Sequence, residues 1–235
     1  MNEKFLSIIV PVKNETQTIK PFIKFLSIFF KFKKKVIFVV DDENDESIEF
    51  INNCKKDFND IEYVLNDKRG VKNAINCALQ NASGEIFCIM CVDELLPILA
   101  LEEMYNKITI ENFDFVSATR YKKNGKRYGG NLAGKLFSFL ANNIFNFIKK
   151  TELSDLTTGI KMTKKIIWNE VNLESSGITW AFCFEFSLKV IKKKYKISEV
   201  PIISVDRIFG GKSSFNFINY FKEYSYWFLW GLKNI

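Results

Sequence analysis

The stretch "KKVIFVVDD" (residues 34–42) is an apolar run entered through lysines and left through two aspartates. Val36 to Val40 include no polar residue, so the run lacks the alternation of a half-wet strand. It reads as a strand buried on both faces, and such strands belong to parallel sheets covered by helices on each side. The flanking sequence agrees. "KFLSIIVPV" (4–12) is β-rich and ends around Pro11, and residues 16–32 have helical periodicity. Residues 46–58 fit a helix, "DIEYVLN" (60–66) a short strand, and "GVKNAINCALQNA" (70–82) a helix stopped by Ser83-Gly84. "EIFCIMCVD" (85–93) is a second buried strand, Pro97 opens a helix to Ile108, and "FDFVSATR" (113–120) is a further strand. Strands and helices in alternation predict an α/β fold with a mostly parallel sheet. Ligands of such sheets bind beyond the carboxyl ends of the strands. Glu15, Asp41, Asp42, Asp93 and Arg120 all fall just past those ends.

The second half is built differently. "GGNLAGKLFSFLANNIFNFIKK" (129–150) is a long helical segment in which Phe137, Leu140, Ile144, Phe147 and Ile148 form one apolar stripe, widened by Phe139 and Phe145. "GIKMT" (159–163) reads as a strand, "WAFCFEFSLKVIKKKY" (180–195) as a helix, and "KISEVPIISVDR" (196–207) as a strand leading to Gly210-Gly211. "FNFINYFKEYSYWFLWGLKNI" (215–235) is aromatic throughout. With no internal repeat and no linker, residues 1–215 are expected to form one domain, and 216–235 an aromatic C-terminal segment.

The chain of 235 residues has no histidine. That excludes His-ligated metals and any triad or general base that needs an imidazole. Cys88 and Cys91 have C-x-x-C spacing but lie in an apolar run with no second pair, so a zinc site is not expected. The odd total of five cysteines suits a reducing compartment. The N-terminus reaches charge and Pro11 too early for a signal peptide, and no apolar window is long enough to span a bilayer. Arginine occurs at Arg69, Arg120, Arg127 and Arg207, in a chain whose Lys and Arg total 34. Each is a candidate for a task that needs a planar fork.

"SIIVPVKNE", "VVDDEND", "RGVKNAINCALQNASGEI", the strand-end Asp93, "SATRY", "SDLTTGIKM" and "EVPIISVDRIFGGKSSF" occur in an order and spacing that resembles family 2 glycosyltransferases. The nearest branch is similar to dolichyl-phosphate mannosyltransferase-like enzymes, which transfer a sugar from a nucleotide donor to a polyprenyl phosphate. The resemblance covers about residues 5–215 and implies a GT-A (Rossmann-like) fold. It implies that Pro11, Val12, Lys13, Glu15, Val40 and Asp42 line the base and ribose pocket, with Cys91, Val92 and Asp93 beside the donor. Asp93 matches the second Asp of a D-x-D and would hold Mg2+ or Mn2+; Cys91 replaces the first Asp, and Leu95 a Gln often found two residues on. Arg207 would clamp the donor diphosphate. Arg120, Lys135 and Ser213 would face the acceptor phosphate, and Asp155 would lie near the acceptor, as a base if that acceptor is a hydroxyl. Asp41 has a structural role as its alternative, and Glu185 reads as structural, buried against the sheet and paired.

What the resemblance implies is an inverting transfer from a GDP- or UDP-linked sugar to a polyprenyl phosphate. The alternatives are transfer to a glycan hydroxyl in surface polysaccharide synthesis, or a nucleotide-sugar-binding protein with weakened catalysis. The lysine-flanked aromatic segments at 130–150 and 215–235 suit helices lying in a membrane interface, so a peripheral position on the cytoplasmic face is expected. A protein partner, a homo-oligomer included, is the other candidate for the C-terminal segment. Net charge +7 agrees with anionic lipid, and nucleic acid is not an expected partner.

Overall fold

The computed structural model describes residues 5–130, 132–205 and 217–235. Its elements are β1 (Leu6–Pro11), α1 (Ile19–Phe29), β2 (Lys34–Val40), α2 (Ser47–Cys54), β3 (Ile61–Leu65), α3 (Val71–Asn81), β4 (Ile86–Ile89), a 3-10 turn (Leu96–Ala100) running into α4 (Leu101–Thr109), and β5 (Phe115–Thr119). There follow β6 (Lys126–Tyr128), α5 (Leu132–Lys149), β7 (Lys161–Lys164), α6 (Lys165–Val171), α7 (Ala181–Lys192), β8 (Ile197–Pro201), β9 (Ile203–Val205) and α8 (Phe217–Asn234).

Seven strands form one sheet in the order β3-β2-β1-β4-β7-β5-β8. Each is parallel to the rest except β7, which runs antiparallel to β4 and β5. The β2 run is sandwiched as its composition requires. Val36, Phe38 and Val40 pack into a cluster with α1, α2 and α4, while Ile37 and Val39 pack on the other face with α3 and α7. The chain moves outward from β1 to β3, then returns to place β4 on the other side of β1. The loops after β1 and β4 therefore diverge, which opens a crevice at the carboxyl edge.

Several sequence expectations change. The stretch 196–207 is not one strand: beyond Pro201 the chain leaves the large sheet, and β9 pairs with β6 in a separate two-stranded sheet. The expected strand 85–93 ends at Ile89, and Cys91–Glu94 form a turn closed by the Glu94 N–H on the Cys91 carbonyl (3.3 Å). The aromatic C-terminal helix α8 packs one side on the body of the protein and leaves Phe221, Tyr226 and Leu229 exposed. Trp227 is buried in the cluster around α7, and Phe228 and Tyr224 pack against it. Phe145, assigned above to the outward stripe, is fully buried against Phe184 and Phe228, and Phe137 meets Phe221 and Tyr224. The exposed apolar face of α5 is instead Leu132, Leu136, Phe139, Leu140, Ile144, Phe147 and Ile148. Among the described residues no helix is long and apolar enough to cross a membrane.

Gly70 joins the loop after β3 to α3 with φ 113° and ψ 151°, a region essentially restricted to glycine. A Cβ there would lie 2.3 Å from the Gly177 carbonyl oxygen. Gly70→Ala is expected to destabilise the fold by at least about 2 kcal/mol, from backbone strain and a clash that no side-chain motion relieves. An unchanged urea midpoint would refute this close approach.

Candidate active site at the carboxyl edge

The loop after β1 is tied to the loop after β2. Asp45 accepts the Asn14 N–H (3.1 Å), and Ser47 Oγ accepts the Glu15 N–H (2.8 Å). Pro11 pairs in register with Val39, so the ends of β1 and β2 lie side by side. Lys13 and Asp42 are exposed there, Pro11 and Glu15 partly so. Asp42 accepts hydrogen bonds from the Asn44 backbone and side chain, which hold its carboxyl below the usual carboxylate range. Val12, Val40 and Val92, expected to line a ligand pocket, bury their side chains in the core; what they can offer a ligand is backbone. Asp41 accepts from Asn66 Nδ2 (2.7 Å) and the Gly70 N–H (3.3 Å) and so holds the loop after β3, the structural alternative.

Across the crevice, Cys91, Asp93 and Glu94 sit half-buried in the turn after β4. Because this is a turn and not a continuing strand, Glu94 is brought into electrostatic reach of Arg120 at the end of β5. Arg120 and Asp155 form a buried pair: Nε lies 2.7 Å from Oδ2, and Nη2 lies 3.0 Å from Oδ1. Nη2 also donates to Thr157 Oγ1 (3.0 Å). Asp155 is fully buried and further accepts the backbone N–H groups of Arg120, Thr157 and Thr158. Burial alone would raise its carboxyl; the Arg120 charge and hydrogen bonds outweigh that and hold it below the ordinary range. This corrects the expectation of a base: a buried, ionised and fully engaged carboxylate is a poor proton acceptor. Among the described residues the Arg120 Nη1 group has no hydrogen-bond partner, and the Arg120 side chain is 11% exposed.

A hydroxyl chain continues from this pair to α5. Tyr121 donates to Ser138 Oγ (2.9 Å), Ser138 Oγ lies 2.8 Å from Thr157 Oγ1, and the Tyr121 ring meets Phe139 at 5.5 Å. Lys135, expected at an acceptor phosphate, stands one turn earlier on α5 and donates to the Arg127 carbonyl (3.0 Å). Arg207 and Ser213 lie outside the described residues. Glu185 is structural, accepting the N–H groups of Glu174 and Ser175 and pairing with Lys189 (2.6 Å).

Two further residues bear on the site, of which Arg69 was singled out in the sequence and Lys161 was not. Arg69 lies close enough to Asp42 to act on its carboxyl; its place in an arginine-poor chain was the available signal. Lys161 is fully buried beside the Asp155 turn, and a short strand with a lysine at each end gave no reason to expect that.

Among the described residues no three His, Cys, Asp or Glu side chains converge as a metal cage. A Mg2+ or Mn2+ ion needs none where substrate phosphates supply ligands and the protein adds one or two carboxylates. Asp93, with Glu94 adjacent, fits a cation that arrives with a diphosphate.

The sheet order and the polar crevice at its switch point define a GT-A type transferase fold. The sequence matches the family model "Glycosyl transferase family 2" over residues 7–171. A probable glycosyltransferase of Sulfolobus acidocaldarius is 35% identical over 121 residues, covering 49% of this chain and 26% of that protein. The dolichyl N-acetyl-alpha-D-glucosaminyl phosphate 3-beta-D-2,3-diacetamido-2,3-dideoxy-beta-D-glucuronosyltransferase of Methanococcus voltae is 25% identical over 218 residues, covering 85% of this chain and 65% of that protein. The chain thus spans less than two thirds of either relative. Glucosyl-3-phosphoglycerate synthase from Mycobacterium tuberculosis, solved with Mn2+, UDP and glucosyl-3-phosphoglycerate, has the same fold at TM-score 0.69 and 14% identity, covering 97% of this chain and 78% of that one. A mannosyltransferase from Pyrobaculum calidifontis, solved with GDP-Man and Mn2+, gives 0.61 and 16%, covering 86% and 56%. The chain belongs to glycosyl transferase family 2.

Proposed function

We propose that this glycosyltransferase moves a sugar from a nucleotide-linked donor to the phosphate of a polyprenyl lipid at a membrane surface, with inversion. The observation that carries this is the position of Arg120. It stands between the donor edge, where Asp42 and Asp93 follow β2 and β4, and the hydroxyl chain to α5, whose outer face exposes Phe139, Leu140 and Phe147. A lipid phosphate would reach the Nη1 corner of Arg120 with its tail along that face. Arg suits this task because its fork can grip Asp155 on one edge and a phosphate oxygen on another. The acceptor phosphate is ionised already, so attack on the anomeric carbon needs no protein base, which agrees with Asp155 being unavailable. Arg207, by the family resemblance, would bind the leaving diphosphate. The divalent cation, held by Asp93 and the donor phosphates, would neutralise charge on that leaving group; the relatives solved with Mn2+ and nucleotide support it.

Lys149 and Lys150 close α5 beside the exposed face and suit anionic lipid. A second reading has a specific support: the Methanococcus voltae relative is named for transfer to a dolichyl-linked sugar, where a hydroxyl accepts. That chemistry would need a base other than Asp155.

The test is incubation with radiolabelled GDP-mannose, UDP-glucose or UDP-GlcNAc, Mn2+ and polyprenyl phosphate in anionic vesicles. Acid-labile label in the organic phase is expected. Label appearing in a glycan alone, or nucleotide binding without turnover, would overturn the proposal. Phe147→Glu, at a residue 85% exposed, is expected to fold and to lose about tenfold in vesicle binding, on the scale of burying one aromatic side chain. Unchanged binding would remove α5 from the membrane face.

A further inference from the structure

Lys161 lies in β7 with no exposed surface, and among the described residues no carboxylate is within ion-pair distance. Its Nζ is 2.8 Å from Ser187 Oγ, 3.2 Å from Ser117 Oγ and 3.4 Å from the Leu156 carbonyl oxygen. Both hydroxyls direct their own hydrogens to carbonyls, Ser117 to Ala118 (3.1 Å) and Ser187 to Leu156 or Cys183 (3.0 and 3.1 Å). Each therefore accepts from Lys161. Three acceptors around one nitrogen match the three N–H groups of an ammonium, whereas a neutral amine has two. An ion buried without a counter-ion in contact costs several kcal/mol, so a bare space-filling role would be better served by an apolar side chain.

The three acceptors belong to three elements. Ser117 is on β5, three residues before Arg120; Leu156 follows Asp155; Ser187 is on α7. We propose that Lys161 is a positioning residue for the transfer: its buried ammonium pins the Asp155 turn to β5, so fixes the Arg120 fork that Asp155 grips, and supplies the net positive charge that the Arg120–Asp155 pair lacks. This rests on Arg120 being the phosphate-facing group. The charged and titratable groups that act on Lys161 are Cys183 on α7, Asp155 in the turn, Arg120 at the end of β5 and Glu199 on β8. Burial brings Lys161 down to about 8 and pushes the Cys183 thiol up to about 12. Asp155 and Arg120 both keep their charges at that pH. Lys161 is thus the group in this cluster that changes state in mildly alkaline solution.

The test follows the Arg120 Nε–H resonance of 15N-labelled protein, assigned by its loss in Arg120→Lys, from pH 6.5 to 9.5, together with transfer to farnesyl phosphate. In the native protein the signal is expected to be slow to exchange at pH 6.5 and to weaken through about pH 8. Lys161→Met is expected to exchange faster at every pH and to lose about 10–100-fold in kcat with little change in donor KM, the scale of a misplaced binding group. Lys161→Arg is expected to keep signal and activity past pH 9. A folded Lys161→Met with native exchange and a native pH profile would overturn the proposal. If that variant does not fold, the same alkaline loss in Lys161→Arg as in the native protein overturns it. Full transfer by Arg120→Ala would instead sink the phosphate-facing reading of Arg120, while the resonance still decides what Lys161 holds.

Discussion

Asp155→Asn is expected to lower the free energy of unfolding by about 3–5 kcal/mol, the range for removing one partner of a buried ion pair. For a chain of this size that is a fall in Tm of roughly 6–20 °C. Asn keeps the size of the side chain and can still accept the Thr157 and Thr158 N–H groups. The loss therefore isolates the charge facing the Arg120 guanidinium, buried with Nε 2.7 Å from Oδ2. The pH dependence has a definite sign. The folded carboxyl titrates below its unfolded value of about 3.9. Its stabilisation is complete above that pH and is lost as pH falls through the folded value. Asp155→Asn should thus be less stable than the native protein near neutrality, and should lose this part of the acid-induced decline. Equal urea midpoints at pH 7 would show that the pair does not hold the turn. Preserved transfer in a folded variant would confirm that no proton passes through Asp155.

Asp93→Asn is expected to leave the fold intact and to lower transfer by about 100–1,000-fold, equivalent to a few kcal/mol of charge stabilisation at the leaving diphosphate. Asp93 lies in the turn after β4, outside the hydrophobic clusters, so the change reaches the ligand and spares the core. A thermal-shift panel supplies a readout besides activity. A nucleotide diphosphate with Mn2+ should raise the native Tm more than the nucleotide alone, because a ligand of the folded state stabilises it. Mn2+ without nucleotide should do little, since no cage of three or more protein ligands converges among the described residues. In Asp93→Asn the Mn2+-dependent increment should vanish. An increment that survives would place the cation elsewhere.

Much of the frame is legible along the chain. Val36–Val40 reads as doubly buried because five apolar residues in a row admit no wet face, and that property is local. The positions of Glu15, Asp42, Asp93 and Arg120 past strand ends follow from the same reading, and the structure gathers them on one edge. Chemistry at the far side of the site was less legible. Asp155 and Arg120 are 35 residues apart, and nothing local distinguishes a carboxylate that will be locked to a guanidinium from one that will face a substrate. Asp93 and Glu94 needed the turn at 91–94, which ends the alternation that β4 predicts. The same limit governs α5. Periodicity identifies its apolar residues, but Phe145 and Phe147, two positions apart, end respectively fully buried and 85% exposed. That division depends on where α7 and α8 pack.

Residue pattern and spacing were therefore sufficient for the layers, since these rest on backbone preference and burial over a few neighbouring residues, and the ordered motifs were sufficient for the family by resemblance. The saturation of Asp155, the buried tripod of Lys161, the side-on grip of Arg120 on Asp155 and the outward face of α5 came from contacts between β5, β7, α5, α7 and α8. Those elements lie tens of residues apart, and a hydrogen bond or a buried charge is set by whatever the fold brings to within about 3 Å.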